Sequence, residues 1–287
     1  MDVILPYALT GLLYAALAIH LWNTRWRGLQ DKALTTWERS AIVLPLALHS
    51  SLLADSILLG SDLRFGFGHA LSVMLWLAVA LYWVESLFLR LEGMQPLVLG
   101  LAAVCAPLPA VFPGLVGQPY THSIEFRLHL VLAMLAYSLF TLAALHAFLM
   151  ATVERRLHHV ARSGAGRAGG TGDPLVGPLA GLPPLLTLEA LLFRILWLGF
   201  ILLTLTLATG AVFSESLFGK ALQFNHKTLF AVVSWIIFAG LLAGRHFRGW
   251  RGRIALRWTL AGFAALLLAY VGSRFVLEVI LQRPSSL

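Results

Sequence analysis

Apolar residues along this chain neither alternate nor form narrow helical stripes. They come in blocks. Eight nearly continuous runs lie at about residues 3–22, 40–60, 67–89, 96–115, 127–152, 188–213, 227–246 and 255–281. A bilayer core about 30 Å thick needs roughly 20 apolar residues in a helix, so each run predicts a transmembrane helix. A membrane β-barrel would show short alternating segments instead. The second and fourth runs are the weakest. The fourth holds Pro107, Pro109 and Pro113, which predicts a kink or a break near its end.

The polar positions between the runs set the topology. With the N-terminus outside, loops 22–39, 90–95, 153–187 and 245–257 face the cytoplasm. They carry Arg25, Arg27, Lys32 and Arg39, then Arg90, then Arg155, Arg156, Arg162 and Arg167, and finally Arg245, Arg248, Arg251, Arg253 and Arg257. These are 14 of the 21 lysines and arginines. The other side receives Arg64, Arg127, Lys220, Lys227, Arg274 and Arg283. The positive-inside rule therefore places both termini outside. The segment SGAGRAGGTGDPLVGPLAGLPP, within loop 153–187, is rich in Gly and Pro and reads as a flexible cytoplasmic linker. It separates five helices from three.

Composition sharpens this picture. Of 287 residues, 59% are hydrophobic and only 12% are charged, with a mean hydropathy of +0.82; soluble domains average about 25% charged. The expected fold is all-α: a polytopic integral membrane helix bundle of about eight transmembrane helices. The net charge of +8 is a topology signal and a contact with anionic lipid, so nucleic acid is not an expected partner. The one cysteine, Cys105, sits in an apolar run, which excludes an internal disulfide and a CxxC motif. Residues 1–22 lack a basic start and a small-residue cleavage site, so they read as a retained first helix. No GxSxG, HExxH or P-loop is present, which leaves hydrolytic catalysis without support.

Ionisable residues inside spans are functional candidates by default. They are His49, Asp55, Glu85, His129, His146, Arg194, Arg274 and Glu278. His129 and His226 fall at one level near the outer face, while His49 falls near the midplane. His146, His158, His159 and His246 lie toward the inner face, and His69 and His122 at the outer edge. Imidazole ligates haem iron, and an apolar bundle can house the macrocycle. A membrane histidine also serves simply as a hydrogen-bonding group between helices. Arg274 and Glu278 stand one turn apart and can pair; Arg274 can equally meet a porphyrin propionate. Asp55 and Arg64 form a similar candidate pair. Glu85 snorkels, and Trp22, Trp26, Trp37 and Trp250 read as interfacial belt residues.

Several ordered motifs carry a resemblance. The segment LEALLFRILWLGFILLTLTLATGAVF (188–213), then RGWRGR (248–253) and LLLAYVGSRF (266–275), resemble the CcsA-type cytochrome c assembly family. Leu188, Glu189, Phe193, Arg194, Gly199, Phe200, Thr209, Gly210 and Ala211 match the family's long span, and Gly249–Gly252 its G-W-R-G turn. HLVLAMLAYSLF (129–140) is similar to the helix whose histidine is an outer haem ligand. The resemblance is best over about 120–285. It implies an assembly-like core at 116–287 behind N-terminal transmembrane helices at 1–115.

The departures are specific. In place of the family's tryptophan-rich loop the chain has QFNHKTLF (223–230), in which Lys227 matches the family lysine while both diagnostic tryptophans are missing. No histidine marks the outer end of the last span. This variant is similar to the inner-membrane relatives of the YpjD and HemX type.

The resemblance implies a bacterial inner-membrane protein that binds or handles haem in cytochrome c assembly or haem homeostasis, with assembly or regulatory proteins as partners. His129 and His226 would be axial ligands of one b-type haem, Lys227 and Arg274 would meet its propionates, and His49 would be a further cofactor-binding candidate. Two other readings stand beside it. One is a scaffold or regulator acting through loop 153–187. The other is an accessory transporter subunit with His49, Asp55 and Glu85 along its path.

Overall fold

A computed structural model describes residues 4–26, 34–57, 65–88, 93–114, 123–162, 185–218 and 225–281. Among these residues the chain is helical, with no strand. The helices are α1 (Ile4–Leu21), α2 (Thr36–Ile57), α3 (Phe67–Phe88), α4 (Gln95–Cys105), α5 (Leu108–Val111), α6 (Ile124–Arg162), α7 (Leu185–Phe218), α8 (His226–Arg248) and α9 (Gly252–Ile280). Seven of them are long and apolar enough to cross a membrane, namely α1, α2, α3, α6, α7, α8 and α9. The protein is a polytopic helical membrane bundle.

The fourth run is the short one. Pro107 lacks the N–H that would continue α4, so the helix breaks there and resumes for one turn as α5. The pair still returns the chain along α3. The Phe112 ring, just past α5, lies 4.7 Å from that of Phe67 at the start of α3.

Helix ends are set by local chemistry. Thr35 and Glu38 form a capping box, with the Thr35 N–H donating to Glu38 Oε2 at 2.8 Å, so α2 starts four residues before its apolar run. Asn225 caps α8 by accepting from the Thr228 N–H at 3.0 Å. That helix ends at Gly249, whose φ of 65° suits a residue without a side chain. The expected loop 153–187 is shorter than its charge pattern suggests. Helix α6 runs on to Arg162 and α7 begins at Leu185, because Glu154 and its neighbours are good helix formers beyond the membrane. Residues 163–184 of that loop lie outside the described residues.

The ends of the helices sort into two levels. At one level α1 meets α2 (Tyr7 Oη donates to the Leu52 carbonyl, 3.3 Å) and the Phe67 N–H donates to Glu278 Oε2 at 3.2 Å. At the other, His20 Nε2 lies 3.2 Å from Glu38 Oε1 and Trp83 Nε1 donates to the Arg39 carbonyl at 2.9 Å. Glu189 there accepts from Arg245 at 2.6 Å and Arg251 at 2.8 Å, and Arg253 donates to Glu154 at 2.7 Å. The cations of this second level make it the cytoplasmic side by the positive-inside rule. Ile4 and Leu281 both lie at the opposite, outer level. Trp250 is not a simple belt residue: its indole folds back over Gly244 and packs on Trp258, with ring centroids 4.9 Å apart.

Midway between the levels, Phe140 of α6 stacks on Phe238 of α8 at 3.9 Å and 14°. Gly199 of α7 makes room for the tip of the Phe140 ring, and Gly262 of α9 for that of Phe238. The four residues form a column joining four helices. A Cβ at Gly262 would lie 2.7 Å from the Phe238 ring, so Gly262→Leu should overpack this level by about 1–3 kcal/mol. Its thermal midpoint in detergent should fall, and an unchanged midpoint would show that the column can part.

Candidate functional site

His129 enters α6 five residues from its start, on the side that faces α7. Its Nδ1 lies 3.1 Å from Thr209 Oγ1. The Thr209 hydroxyl hydrogen is already committed to backbone carbonyls, Leu205 at 2.8 Å and Thr206 at 3.1 Å. Thr209 Oγ1 therefore accepts, and His129 Nδ1 carries the proton. That tautomer leaves the Nε2 lone pair available. Gly210 makes room for the ring: a Cβ there would stand 3.1 Å from His129 Cε1. A half-buried imidazole held by Nδ1 and open at Nε2 is the arrangement of a metal-ligating histidine.

His226 and Lys227 are the first two residues of α8, placed there by the Asn225 cap. His226 is exposed, whereas Lys227 is half-buried and within electrostatic reach of Arg274 and Glu278 on α9. Arg274 is 4% exposed. Its guanidinium lies 3.6 Å from Glu278 Oε1 and 5.7 Å from the centre of the Tyr270 ring. The Glu278 carboxylate seats against Gly66, where Gly66 and Gly114 approach each other too closely for side chains. Two cations thus share one carboxylate, and Lys227 also stands at the positive end of its own helix. The cluster places two cations and a carboxylate together at the outer level.

The last span is not regular around Arg274. Wider, i→i+5 turns cover Leu268–Gly272 and Val276–Ile280 on either side of it. Such turns are frequent at functional sites. Near the first of them the Leu266 carbonyl accepts from Tyr137 Oη at 2.7 Å, which ties α9 to α6.

The structure brings Lys227, Arg274 and Glu278 together, and sets His129 against α7. The two histidines at the outer level are not in contact with each other. His49 stands elsewhere, in the α1–α2–α3 unit, with its Nε2 2.8 Å from Ser72 Oγ. Arg64 and His122 lie outside the described residues; Asp55 is instead within reach of Tyr7. Glu85 lies within electrostatic reach of Arg194 across α3 and α7. His146 donates from Nε2 to the Leu188 carbonyl at 3.0 Å, a helix-to-helix role. His69, read as an edge residue, is buried at the start of α3. No group of three or more His, Cys, Asp or Glu side chains that could hold a metal ion occurs among the described residues.

Thr209 stood in the sequence only as a match to the family's long span; its partnership with His129 was missed, because it reaches across 80 residues. Sequence reasoning also missed the Phe67 amide as a partner of Glu278. Neither partnership leaves a local signal.

The family model for the cytochrome C assembly protein matches residues 37–281. Inner membrane protein YpjD of Escherichia coli K12 is 32% identical over 152 residues, 53% of this chain and 52% of that protein. Cytochrome c biogenesis protein CcsA of Prochlorococcus marinus MIT 9515 is 36% identical over 89 residues, 31% of this chain and 28% of that protein. An uncharacterised 28.8 kDa protein of Azospirillum brasilense is 31% identical over 176 residues, 61% of this chain and 58% of its own. The matches span about half the length of the first of these curated relatives, and less of the CcsA proteins. No solved structure matches.

Proposed function

The chain belongs to the cytochrome c assembly protein family, a multi-pass protein of the bacterial inner membrane, and from that premise we propose that it binds and handles haem near the outer face. It would serve cytochrome c assembly or haem homeostasis, with other assembly or regulatory proteins as partners. The observation that carries this reading is the placement of His129: its Nδ1 lies 3.1 Å from Thr209 Oγ1, whose own hydroxyl reaches the Leu205 carbonyl at 2.8 Å, an arrangement that favours the proton on Nδ1 and frees Nε2.

The donor set suits a b-type haem. His129 would supply one axial nitrogen, and His226, exposed at the start of α8, the other. Lys227 and Arg274, which meet at Glu278, would receive the propionates. Bound there, the haem supplies an iron centre that takes axial histidine. The protein's own residues orient the imidazoles and hold the carboxylates. The chain has no CxxCH acceptor of its own, so the reading is one of holding and presenting haem to partners.

The test is a reduced-minus-oxidised spectrum of the full chain purified in mild detergent, before and after reconstitution with haem. Soret and α bands support the reading; their absence even after reconstitution would end it and move the scaffold reading to the front. Within the loaded protein, Thr209→Val removes the partner of Nδ1. It should weaken haem retention about 10–100-fold, the usual cost of losing such an orienting bond, in a competition assay with apomyoglobin. Retention equal to the wild type would mean that Thr209 does not orient His129.

A further inference from the structure

A second concentration of buried polar chemistry lies away from the outer cluster, where α1, α2 and α3 pack together. Tyr14, His49 and Ser72 are each 0% exposed. His49 Nε2 is engaged by Ser72 Oγ at 2.8 Å. The Tyr14 ring meets the His49 ring edge-on, with centroids 5.8 Å apart and planes at 70°.

Two atoms of this group have no hydrogen-bond partner in the protein: His49 Nδ1 and Tyr14 Oη. Each is enclosed, and a buried polar atom without a partner is costly, most of all in a bundle bathed in lipid. Native interiors seldom leave one, and bound water commonly supplies the partner. Here two such atoms belong to adjoining rings. They are chemically complementary as well, since a phenol donates and accepts while an imidazole nitrogen does one or the other according to tautomer.

We propose that one water molecule is bound between Tyr14 Oη and His49 Nδ1. It completes a chain from Ser72 Oγ through the imidazole and the water to the phenol, linking α3, α2 and α1. The surroundings restrict the site to a small polar guest. Leu21, Ile42 and Leu53 are buried apolar neighbours along the same two helices. The titratable groups of the α1–α2 pair, Tyr7 with Asp55 and His20 with Glu38, lie at opposite ends of it. On α3, buried His69 stands one turn from Ser72. The site is separate from the outer cluster, and it stands whether or not haem is bound.

X-ray hydroxyl-radical footprinting of the full chain in mild detergent, read by mass spectrometry, tests the water directly. Radicals form at bound water, so Tyr14 and His49 should be modified despite their burial. Tyr14→Phe keeps the ring and its packing; it should stop modification at His49 and lower the thermal midpoint by several degrees. The proposal fails if both residues stay unmodified while exposed Trp37 reacts normally. It fails equally if Tyr14→Phe leaves the midpoint unchanged or raises it, because removing an unpartnered hydroxyl would do that.

Discussion

His129→Ala should abolish the haem spectrum of the purified protein while leaving a folded bundle. The imidazole is the proposed axial donor whose nitrogen is already presented, because Thr209 holds its Nδ1 proton at 3.1 Å and has spent its own hydroxyl hydrogen on Leu205. The ring is half-buried and rests over Gly210, so truncation removes one hydrogen bond and little packing. Stability should fall by only about 1 kcal/mol, whereas the Soret and α bands should disappear. His226→Ala removes the second proposed ligand and should shift the spectrum from a six-coordinate to a five-coordinate form rather than erase it. Normal bands in His129→Ala would refute the ligand assignment. Loss of bands together with loss of the monodisperse chromatography peak would identify a folding defect, and exogenous imidazole should then fail to restore them.

The second large effect belongs to the cytoplasmic level. Glu189→Ala should destabilise the bundle by about 3 kcal/mol, near the lower end for a broken buried ion pair because the two arginines are partly exposed. Glu189 is 6% exposed and bonds Arg245 from the end of α8 and Arg251 from the turn before α9. Its loss leaves two guanidinium groups facing each other beside Phe193, over whose ring Arg245 already sits at 4.6 Å. Glu189→Gln keeps the volume and one acceptor, and should recover part of the difference. Unfolding in mixed micelles measures both, and an alanine variant within 1 kcal/mol of the wild type would deny Glu189 any clamping role.

These two sites differ in how they could be read from the chain. The spans were legible, because continuous apolar runs report burial in lipid directly. Their ends were less so. Capping at Thr35 starts α2 before its apolar run, and charged residues carry α6 beyond the membrane. Pro107 announced the broken fourth helix, since its missing N–H acts locally. His129 was legible as an ionisable residue at the outer level, and the Arg274–Glu278 pair followed from its one-turn spacing, whereas the approach of Lys227 from α8 did not. The pairing of Glu189 with Arg245 and Arg251 was not, because it spans 56 and 62 residues of sequence. Burial of His69 and the folding of Trp250 over Gly244 were hidden for the same reason: both depend on which helices become neighbours.

The aromatic column at mid-membrane has a mechanical consequence. Phe140, Phe238, Gly199 and Gly262 pin four helices at one height, and the arginine–glutamate bonds fasten the cytoplasmic ends of the same helices. Toward the outer side the joints are of another kind: Trp235 Nε1 donates to Thr204 Oγ1 at 2.9 Å and its ring stacks on Phe200, which ties α8 to α7. The two halves of the bundle are therefore fastened by different chemistry. Added salt would loosen the partly exposed ion pairs of the cytoplasmic half and leave the neutral aromatic and hydroxyl contacts of the other half in place.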